Sequence, residues 1–506
     1  MNWLDRAVAY VAPQAGARRA AARERLARSA ASAEAVQLGW RRAADILRGY
    51  DAGKSGRRTA GWTTGGGSAN TEVTGSITTA RNRARELVRN NPYALRAINM
   101  LAAKSIGTGI RARPDKGALK AWNEFVETAD FEDDLDLYGL QALIARTSFE
   151  SGECIVRRIR TREGRVPLKL QVLEADYLDG TRYGPTSNGN YIIAGVEVDR
   201  LGRKVAYWLY DQHPGDTLSL RAPESRRVDA SEVIFFGEKL RPGQLRFMPR
   251  LAASMMRLRD HDDYRDALLV KKKIEACFAV FVIGGNPNLP LGDAANATVT
   301  GAGGTDTTQR QETLAPGMIE YVANGQDVKF ASPTTGSDDG FSVEELHAIA
   351  AGIGVTYEQL TGDISKVNYS SIRSGMGDFR DLVEAWRWTY FIPMVMRRIW
   401  AWYVDAAWTA GTIRSPAYNV IWTAPRWPYV NPIDDIKASK EEVSGGFQSL
   451  SEKIRELGYD PDEVFAEIQK ERADLAAKGI TVDSTGSAPK PAAPAAAEPA
   501  AGEAKP

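Results

Sequence analysis

The hydrophobic periodicity of the chain changes twice, and this change constrains the fold more than any single motif does. From Thr79 to residue 153, apolar residues recur every three or four positions, which predicts helices. From 153 to 238 they alternate with polar residues in short runs separated by turns such as REGR and DRLGR, which predicts a mostly antiparallel sheet. Helical spacing returns after residue 241. The sequence therefore predicts an α+β protein.

Two long helical stretches follow the predicted sheet. In the first, Pro249 suits a helix start, and the pattern predicts a helix of roughly 28 residues and ~40 Å. It is charged nearly all round, which is typical of a helix held between other elements or between subunits, or of one that bridges domains through solvent. The second, 370–411, carries five tryptophans, with Pro393 as a predicted kink and Gly411 as a predicted end. We expect it to be the packing spine.

Caps and breakers mark further boundaries. Pro92 divides the helical pattern after Thr79 into two helices, because a proline inside a helix breaks its hydrogen-bond ladder. Between the two long stretches, residues 280–340 predict an irregular lobe with two strand-like segments. Four pairs indicate helix starts: Ser342 with Glu345, Thr356 with Gln359, Ser449 with Glu452, and Asp460 with Pro461.

The two ends of the chain differ in composition from its middle. Residues 1–60 are rich in Ala and Arg and predict helices that end near Gly49. Residues 63–76 are rich in Gly, Ser and Thr and predict an irregular linker. From Ser484 onward, the Ala- and Pro-rich composition predicts a disordered tail.

The charge balance argues against a protein that grips DNA over a broad cationic surface. The 506 residues include 65 Lys or Arg and 64 Asp or Glu, for a formal net charge of +1. Only residues 1–60 are clearly basic, with 12 Arg or Lys against 5 Asp or Glu. We interpret this basic arm as a helix face that is solvated or packed against a partner.

Signals for membranes, secretion and thiol chemistry are weak. The longest apolar run, 276–285, is shorter than the ~18 residues that cross a bilayer. The first 30 residues lack the apolar core of a signal peptide. Cys154 and Cys277 are isolated, which predicts a reducing compartment without disulfides or a cysteine metal site.

No group of residues supports catalysis. The segment GYDAGKSG (49–56) resembles a phosphate-binding loop, but three residues rather than four separate its glycines. The densest acidic cluster, at 260, 262 and 263, does not share one helix face and is surrounded by arginines, which predicts ion pairing rather than a metal centre. We expect no catalytic residue, metal or cofactor. The three histidines stand in no metal-binding or triad pattern, and we expect each to lie on a surface or at an interface: His213, His261 and His347.

Several segments together resemble the lambda-like portal proteins of tailed bacteriophages. None of them is a generic motif, and they cover roughly residues 80–470. The segments are RARELVRNNPYALRAI with IGTGI, GVEVDRLGRKVAYWLYDQHPGD, RPGQLR, APGMIEYVANGQDVKFASPT and IAAGIGVTYEQLTGDISKVNYSSIRSG.

The resemblance implies a homo-oligomeric ring, typically of twelve subunits, at one vertex of the capsid. Double-stranded genome DNA would enter and leave through its channel without sequence specificity. Terminase would dock outside during packaging, and head-completion or adaptor proteins would replace it. The ring would contact major capsid and scaffold proteins, would assemble in the host bacterial cytoplasm and would become part of the virion. The family has no catalytic activity.

The resemblance also implies a portal fold with a helical and β-sheet wing, two stem helices, an α/β clip, a kinked long helix and a C-terminal helical crown. The implied regions are 1–78 for the basic arm and linker, 79–240 for the wing, 241–279 for the first stem helix, 280–340 for the clip, 341–361 for the second stem helix, 362–375 for the tunnel loop, 376–429 for the kinked wing helix and the strand after it, 430–483 for the crown and 484–506 for the disordered tail.

By the same resemblance, the polar loop at 362–375 would project into the channel. A few cations would meet phosphates weakly, so that DNA slides rather than binds tightly. An alternative left open is that the loop packs between subunits and that Arg373 begins the next helix as an ion-pair partner. The predicted DNA-facing residues are Ser365, Lys366, Asn368, Tyr369, Ser370, Ser371 and Arg373.

A closed ring requires that one face of a subunit meets a different face of the next. Charged residues of the first stem helix suit this pairing, and we predict that they set the register between subunits. They are Arg257, Arg259, Asp260, Asp263, Arg265 and Asp266.

Three other functions remain open on the sequence alone. The first is another structural protein of the head-tail junction, such as an adaptor or a minor head protein, although adaptors are short helical proteins. The second is a nuclease or NTPase of the packaging motor, which the broken phosphate loop disfavours. The third is a monomeric DNA-binding module.

Overall fold

The computed structural model describes residues 10–26, 64–216, 223–276, 280–283, 319–322, 339–365, 369–429 and 431–480. The chain divides into two compact units, Met1–Gly67 and Ser68–Pro506. In the smaller unit, residues 13–26 form a helix that is almost entirely exposed, in agreement with the predicted helical arm. No helix in these ranges is long and apolar enough to cross a membrane.

The larger unit begins inside the predicted irregular linker. Helix α1 (Ala69–Thr74) starts after Ser68, whose side chain accepts a hydrogen bond from the backbone N–H of Thr71. Asn70 holds α1 on the rest of the unit, because its amide donates to the carbonyl of Gly243 (3.1 Å) and accepts from the N–H of Leu245 (2.8 Å). The prediction of an irregular linker is therefore wrong at 69–74.

A layer of helices precedes the sheets, as predicted. Pro92 occupies the first turn of its helix, and the side chain of Asn91 caps that helix by accepting from the N–H of Ala94 (2.8 Å). The prediction that Pro92 separates two helices is confirmed. In chain order the elements are α2 (Ile77–Asn90), α3 (Pro92–Ile106), β1 (Arg111–Pro114), α4 (Lys116–Glu127) and α5 (Leu137–Ser151).

The predicted antiparallel sheet is confirmed, and it is divided into two sheets. The strands are β2 (Cys154–Arg160), β3 (Leu168–Glu174), β4 (Gly184–Pro185), β5 (Tyr191–Ile193), β6 (Val196–Val198), β7 (Lys204–Tyr210), β8 (Ser225–Asp229) and β9 (Val233–Phe236). One sheet has the order β3–β2–β9 and the other β4–β5–β6–β7–β8. We did not predict β8, because its sequence SRRVD is polar and the strand is a largely exposed edge.

The three-stranded sheet is a wall between two hydrophobic cores. Along β2, Cys154 and Val156 belong to the core shared with the helices, whereas Ile155 belongs to the core shared with the five-stranded sheet. On β9, Phe236 and Phe235 divide between the two cores in the same way. Successive side chains of a strand point to opposite faces, so the alternation seen in the sequence supplies both cores.

Helix α6 (Met255–Ala276) follows the sheets. It begins six residues after Pro249 and has 22 residues, so it is shorter than predicted, about 33 Å long. Arg250 explains the late start, because its N–H bonds to the carbonyl of Phe149 (3.0 Å) and its guanidinium bonds to the carbonyl of Ile353 (2.8 Å). These tertiary contacts hold the segment in turns, a constraint that the local pattern does not contain.

The segment after α6 is described only in part. Strands β10 (Val280–Ile283) and β11 (Ile319–Val322) pair in parallel and match the two predicted strand-like segments. Helix α7 (Asp339–Ile353) begins before Ser342, so the predicted cap at Ser342 is wrong. Helix α8 (Tyr357–Thr361) starts at the predicted capping box of Thr356, which is confirmed.

The tryptophan-rich stretch forms the longest helical run in the described part of the chain. It comprises α9 (Tyr369–Trp386), a π-helical segment (Arg387–Met396) and α10 (Arg397–Thr409). Pro393 lies in the π-helical segment, where the missing N–H is accommodated by wider hydrogen bonding. The predicted end is confirmed at Gly411, which has φ +71°. Three of its tryptophans are buried, whereas Trp388 and Trp408 are about half exposed.

Strand β12 (Val420–Thr423) pairs antiparallel with β1 and leads to three final helices. These are α11 (Pro432–Ser444), α12 (Leu450–Glu456) and α13 (Pro461–Ala477). The predicted starts of α12 and α13 are confirmed, because Ser449 and Asp460 cap them with their side chains. Only Ile454 and Pro461 are buried in these helices.

Candidate functional site

Helices α6 and α7 pack as an antiparallel pair. The hydroxyl of Ser254, just before α6, donates to the carbonyl of Ile349 (3.1 Å), and Arg257, further along α6, pairs with Glu345, earlier in α7 (2.8 Å). The contacts run in opposite directions along the two helices. The two helices therefore lie side by side and bracket the segment 277–338.

His261 lies in the contact between these helices. It is 2% exposed, its Nε2 is 2.9 Å from the hydroxyl of Ser342, and its ring meets the ring of Tyr93 edge to face. Burial lowers the pKa of His261 below its usual value, and the nearby Arg265 lowers the pKa further. The prediction from sequence placed this histidine on a surface or interface and did not identify its role in the helix pair.

The six predicted interface residues of α6 fall into two groups. Arg257 is paired within its own subunit, with Glu345. From residue 262 to residue 273, α6 has no buried residue. The other five are exposed and have no ion pair within the described ranges: Arg259, Asp260, Asp263, Arg265 and Asp266.

The polar connection between α8 and α9 is shorter than predicted. Gly362 ends α8 in the left-handed conformation (φ +79°), and the residues that follow, up to Ser365, are exposed. Helix α9 begins at Tyr369, so Tyr369, Ser370, Ser371 and Arg373 belong to its first turns rather than to a loop. Lys366 and Asn368 lie outside the described residues.

Arg373 has a partner within its own subunit. Its guanidinium is 3.8 Å from the carboxylate of Asp435 in α11, and its side chain is 55% exposed. An exposed pair at this distance contributes little to stability. The geometry agrees with the alternative in which Arg373 begins the helix as an ion-pair partner.

A buried ionic network was missed by the sequence prediction. Glu153 is fully buried, and Arg246 donates to both of its oxygens (2.7 Å each). Arg81 of α2 also reaches Glu153 (3.4 Å) and bonds to Asp176 (3.0 Å). Burial raises the pKa of Asp176, but Arg81 and Arg85 outweigh it, so this pKa lies below its usual range. The available signal was the spacing of Arg81 and Arg85, which puts both on one face of a helix.

One group of side chains has the spacing of metal ligands among the described residues: Glu174, Asp176 and His213. However, Arg85 bonds to the carboxylate of Asp176 (2.7 Å) and contacts that of Glu174 (3.1 Å). Because Arg85 contacts both carboxylates and Arg81 also pairs with Asp176, the group is better explained as an ion-paired cluster than as a metal centre.

The cysteines and the segment that resembles a phosphate-binding loop do not add a functional site in the described part of the chain. Cys154 is buried in β2, and burial raises the pKa of its thiol, which keeps the thiol protonated and unreactive. Cys277 and the phosphate-loop-like segment 49–56 lie outside the described residues.

The sequence as a whole matches one family. The model described as "Phage portal protein, lambda family" matches residues 55–387, more than half of the chain. The chain belongs to this family of phage portal proteins. The family consists of structural proteins of the phage virion that connect head and tail, and its members are not enzymes. The prediction of a lambda-like portal protein is confirmed, and the alternatives of an adaptor, a packaging enzyme and a DNA-binding module are not supported.

Individual relatives are portal proteins of other phages. The "Probable portal protein" of Halomonas phage phiHAP-1 is 27% identical over 78% of this chain and 80% of that protein. The "Portal protein" of Escherichia phage N15 and the "Portal protein B" of Escherichia phage lambda are each 22% identical, over 85% of this chain and 91% of each relative.

Solved structures show a weaker likeness. A chain from the neck of a native gene transfer agent particle, computed with C12 symmetry, has a TM-score of 0.40 and 16% identity over 74% of this chain and 93% of that chain. A chain from the neck of the empty particle, computed with C6 symmetry, has a TM-score of 0.41 and 16% identity over 80% and 98%. The family assignment rests on the sequence match.

Proposed function

We propose that twelve copies of this chain form a closed ring at one vertex of a phage capsid and that genome DNA passes through it during packaging and ejection. Membership of the portal family supports this proposal. In the ring, α6 and α7 form the stem, 280–340 the clip and 430–483 the crown. Terminase docks on the ring during packaging, head-completion or adaptor proteins follow, and major capsid and scaffold proteins surround it.

The observation that carries the proposal is the surface of α6. Beyond His261 this helix buries no side chain up to residue 273, and the five exposed charges between 259 and 266 have no ion pair within the described part of their own chain. A long helix that buries so little apolar surface in its own subunit is typical of one held by contacts with neighbouring subunits or other elements. Arg259 and Arg265 of one copy can pair with acidic residues of the next, which is the heterologous contact that a ring needs.

Reversal of single charges on α6 tests this interface. We expect Asp263→Arg and Arg265→Glu each to shift the population from rings toward monomers or toward rings of another subunit number, as measured by native mass spectrometry. The control is Arg200→Glu, a reversal at an exposed turn, which leaves the rings intact. Unchanged rings of unchanged number in both α6 variants would refute the interface.

We propose further that the connection from Gly362 to the start of α9 meets the DNA in the channel. The exposure of residues 363–365 supports this, because these three side chains contribute nothing to the core that the structure describes. In the sequence, most residues from 365 to 373 are polar. The contacts are hydrogen bonds and weak cationic contacts to phosphates. The proposed DNA-facing residues remain Ser365, Lys366, Asn368, Tyr369, Ser370, Ser371 and Arg373.

A double variant tests the DNA contact. We expect Lys366→Ala with Arg373→Ala to form normal rings but to slow DNA packaging in a terminase-driven assay, because the cations that guide the phosphates are removed. Lys478→Ala, at the exposed end of the crown, is the control. A packaging rate equal to that of the wild type would exclude these two residues from the DNA path.

A further inference from the structure

A cationic cleft lies where three connections meet. They are residues 107–109 after α3, residues 423–428 after β12 and the turn at 457–459 between α12 and α13. The cleft has a volume of about 420 Å³, and its wall contains no Asp or Glu. The four cationic side chains of the wall are Lys104, Arg111, Arg387 and Arg426.

Arg387 is occupied by contacts within the fold. It is 2% exposed, its Nε donates to the carbonyl of Ser105 (2.7 Å), and its Nη2 donates to the carbonyl of Lys104 (2.7 Å). Its third nitrogen pairs with Glu384. The carbonyls at the C-terminal end of α3, which would repel an anion, are therefore covered by a guanidinium.

The other three cations lack such partners. Lys104, Arg111 and Arg426 make no ion pair within the described ranges. The contrast on β1 is informative, because Arg113, two residues from Arg111, pairs with Asp460 (2.8 Å) and Asp462. The acidic residues at the start of α13 therefore pair with Arg113, and the three other cations of the cleft stay without a counter-charge in the described part of the chain. A cleft lined by one sign of charge focuses its field and attracts a counter-ion.

We propose that this cleft binds phosphate groups of duplex DNA at a second site, which shares no residue with the connection at 362–373. The inference rests on the proposed function, which brings a DNA backbone to every copy. Gly107 (φ +53°) and Gly109 (φ +103°) contribute only backbone to the wall. The volume of about 420 Å³ leaves room for a backbone phosphate beside the cations. Contacts of this kind are independent of sequence.

The test uses full-length rings and a short fluorescent duplex, with affinity measured by anisotropy over a range of salt concentrations. We expect the triple variant Lys104→Gln, Arg111→Gln, Arg426→Gln to bind at least about tenfold more weakly at low salt. The slope of log affinity against log salt becomes shallower by roughly 0.9 for each phosphate that the variant no longer neutralises. The control is Arg162→Gln, an exposed arginine in the turn between β2 and β3, which leaves both quantities unchanged.

The outcomes separate this inference from the proposed function. Wild-type protein that forms no rings contradicts the proposed function, whereas rings whose triple variant binds duplex as tightly as the wild type contradict only the cleft. If inorganic phosphate or polyglutamate competes as well as duplex DNA at equal charge concentration, the cleft is a general anion site and the DNA proposal fails. Should the triple variant not assemble, the single variants Lys104→Gln and Arg426→Gln replace it. For each, we expect the slope of log affinity against log salt to be shallower by roughly 0.9, the contribution of one phosphate.

Discussion

Glu153 is a carboxylate without solvent contact, and arginines balance its charge. Arg246 holds both oxygens, Arg81 approaches from α2, and the N–H of Phe247 donates to the same group (2.8 Å). These contacts join the helical layer, the start of β2 and the segment that enters α6. Removal of one member of a buried ionic network leaves the other charges uncompensated.

We therefore expect Glu153→Gln to lower the free energy of unfolding by about 3–5 kcal/mol, because the buried guanidinium of Arg246 loses its counter-charge and that of Arg81 keeps only Asp176. Chemical denaturation followed by tryptophan fluorescence measures the change. The matched control is Glu163→Gln in an exposed turn, for which the change stays within about 0.5 kcal/mol. Equal stabilities for the two variants would show that the network is not required.

Because His261 is buried between α6 and α7, we expect the stability of this helix pair to depend on pH. Because burial and Arg265 hold its pKa below the usual value, the unfolded chain binds the proton more readily than the folded chain. The stabilisation is complete above about pH 6.5 and decreases as the pH falls below that value. His261→Gln removes this dependence. We expect the difference in unfolding free energy between wild type and variant to shrink from pH 7 to pH 5, and a constant difference would contradict the assignment.

At the scale of elements, periodicity and capping predicted most of the fold. The strands that supply both cores alternate in sequence, and Pro92, Thr356, Ser449 and Asp460 mark helix starts by local chemistry. The predictions from sequence failed where tertiary contacts determine whether a helix forms or where it starts. Helix α1 depends on the contacts of Asn70, and the start of α6 depends on those of Arg250. No local pattern contains these contacts.

The junction between α5 and β2 offers a test at this scale. Gly152 ends α5 with φ +83°, and a Cβ on it would lie 2.5 Å from the carbonyl carbon of Met248 and 2.6 Å from the nitrogen of Pro249. Gly243 has a similar φ, +76°, but open space around the same position. Both glycines adopt a left-handed backbone conformation, but only at Gly152 would an added Cβ overlap neighbouring backbone atoms.

We expect Gly152→Ala to destabilise the protein by more than about 3 kcal/mol, because strain and backbone overlap add together. Gly243→Ala should cost about 1 kcal/mol, since only the unfavourable φ contributes. Thermal unfolding of the two variants under the same conditions measures the difference. Similar melting temperatures would mean that the chain relaxes around residue 152 without penalty.

At the scale of the whole molecule, the sequence indicated the family but not the contacts between copies. The motifs of the resemblance are spread over most of the chain, and the family match over 55–387 agrees with them. Single site residues were harder to predict. Arg257 and Arg373 find partners within their own subunit, because helices that are distant in sequence bring Glu345 and Asp435 to them. Pattern reasoning could not anticipate these pairs.

The arrangement of the subunits is the central claim, and cryo-electron microscopy of the purified full-length protein tests it most directly. We predict closed rings in which the exposed charges of α6 meet the neighbouring copy and residues 362–373 face a central hole wide enough for duplex DNA. A single-copy particle, or a ring in which those residues lie away from the hole, would contradict it.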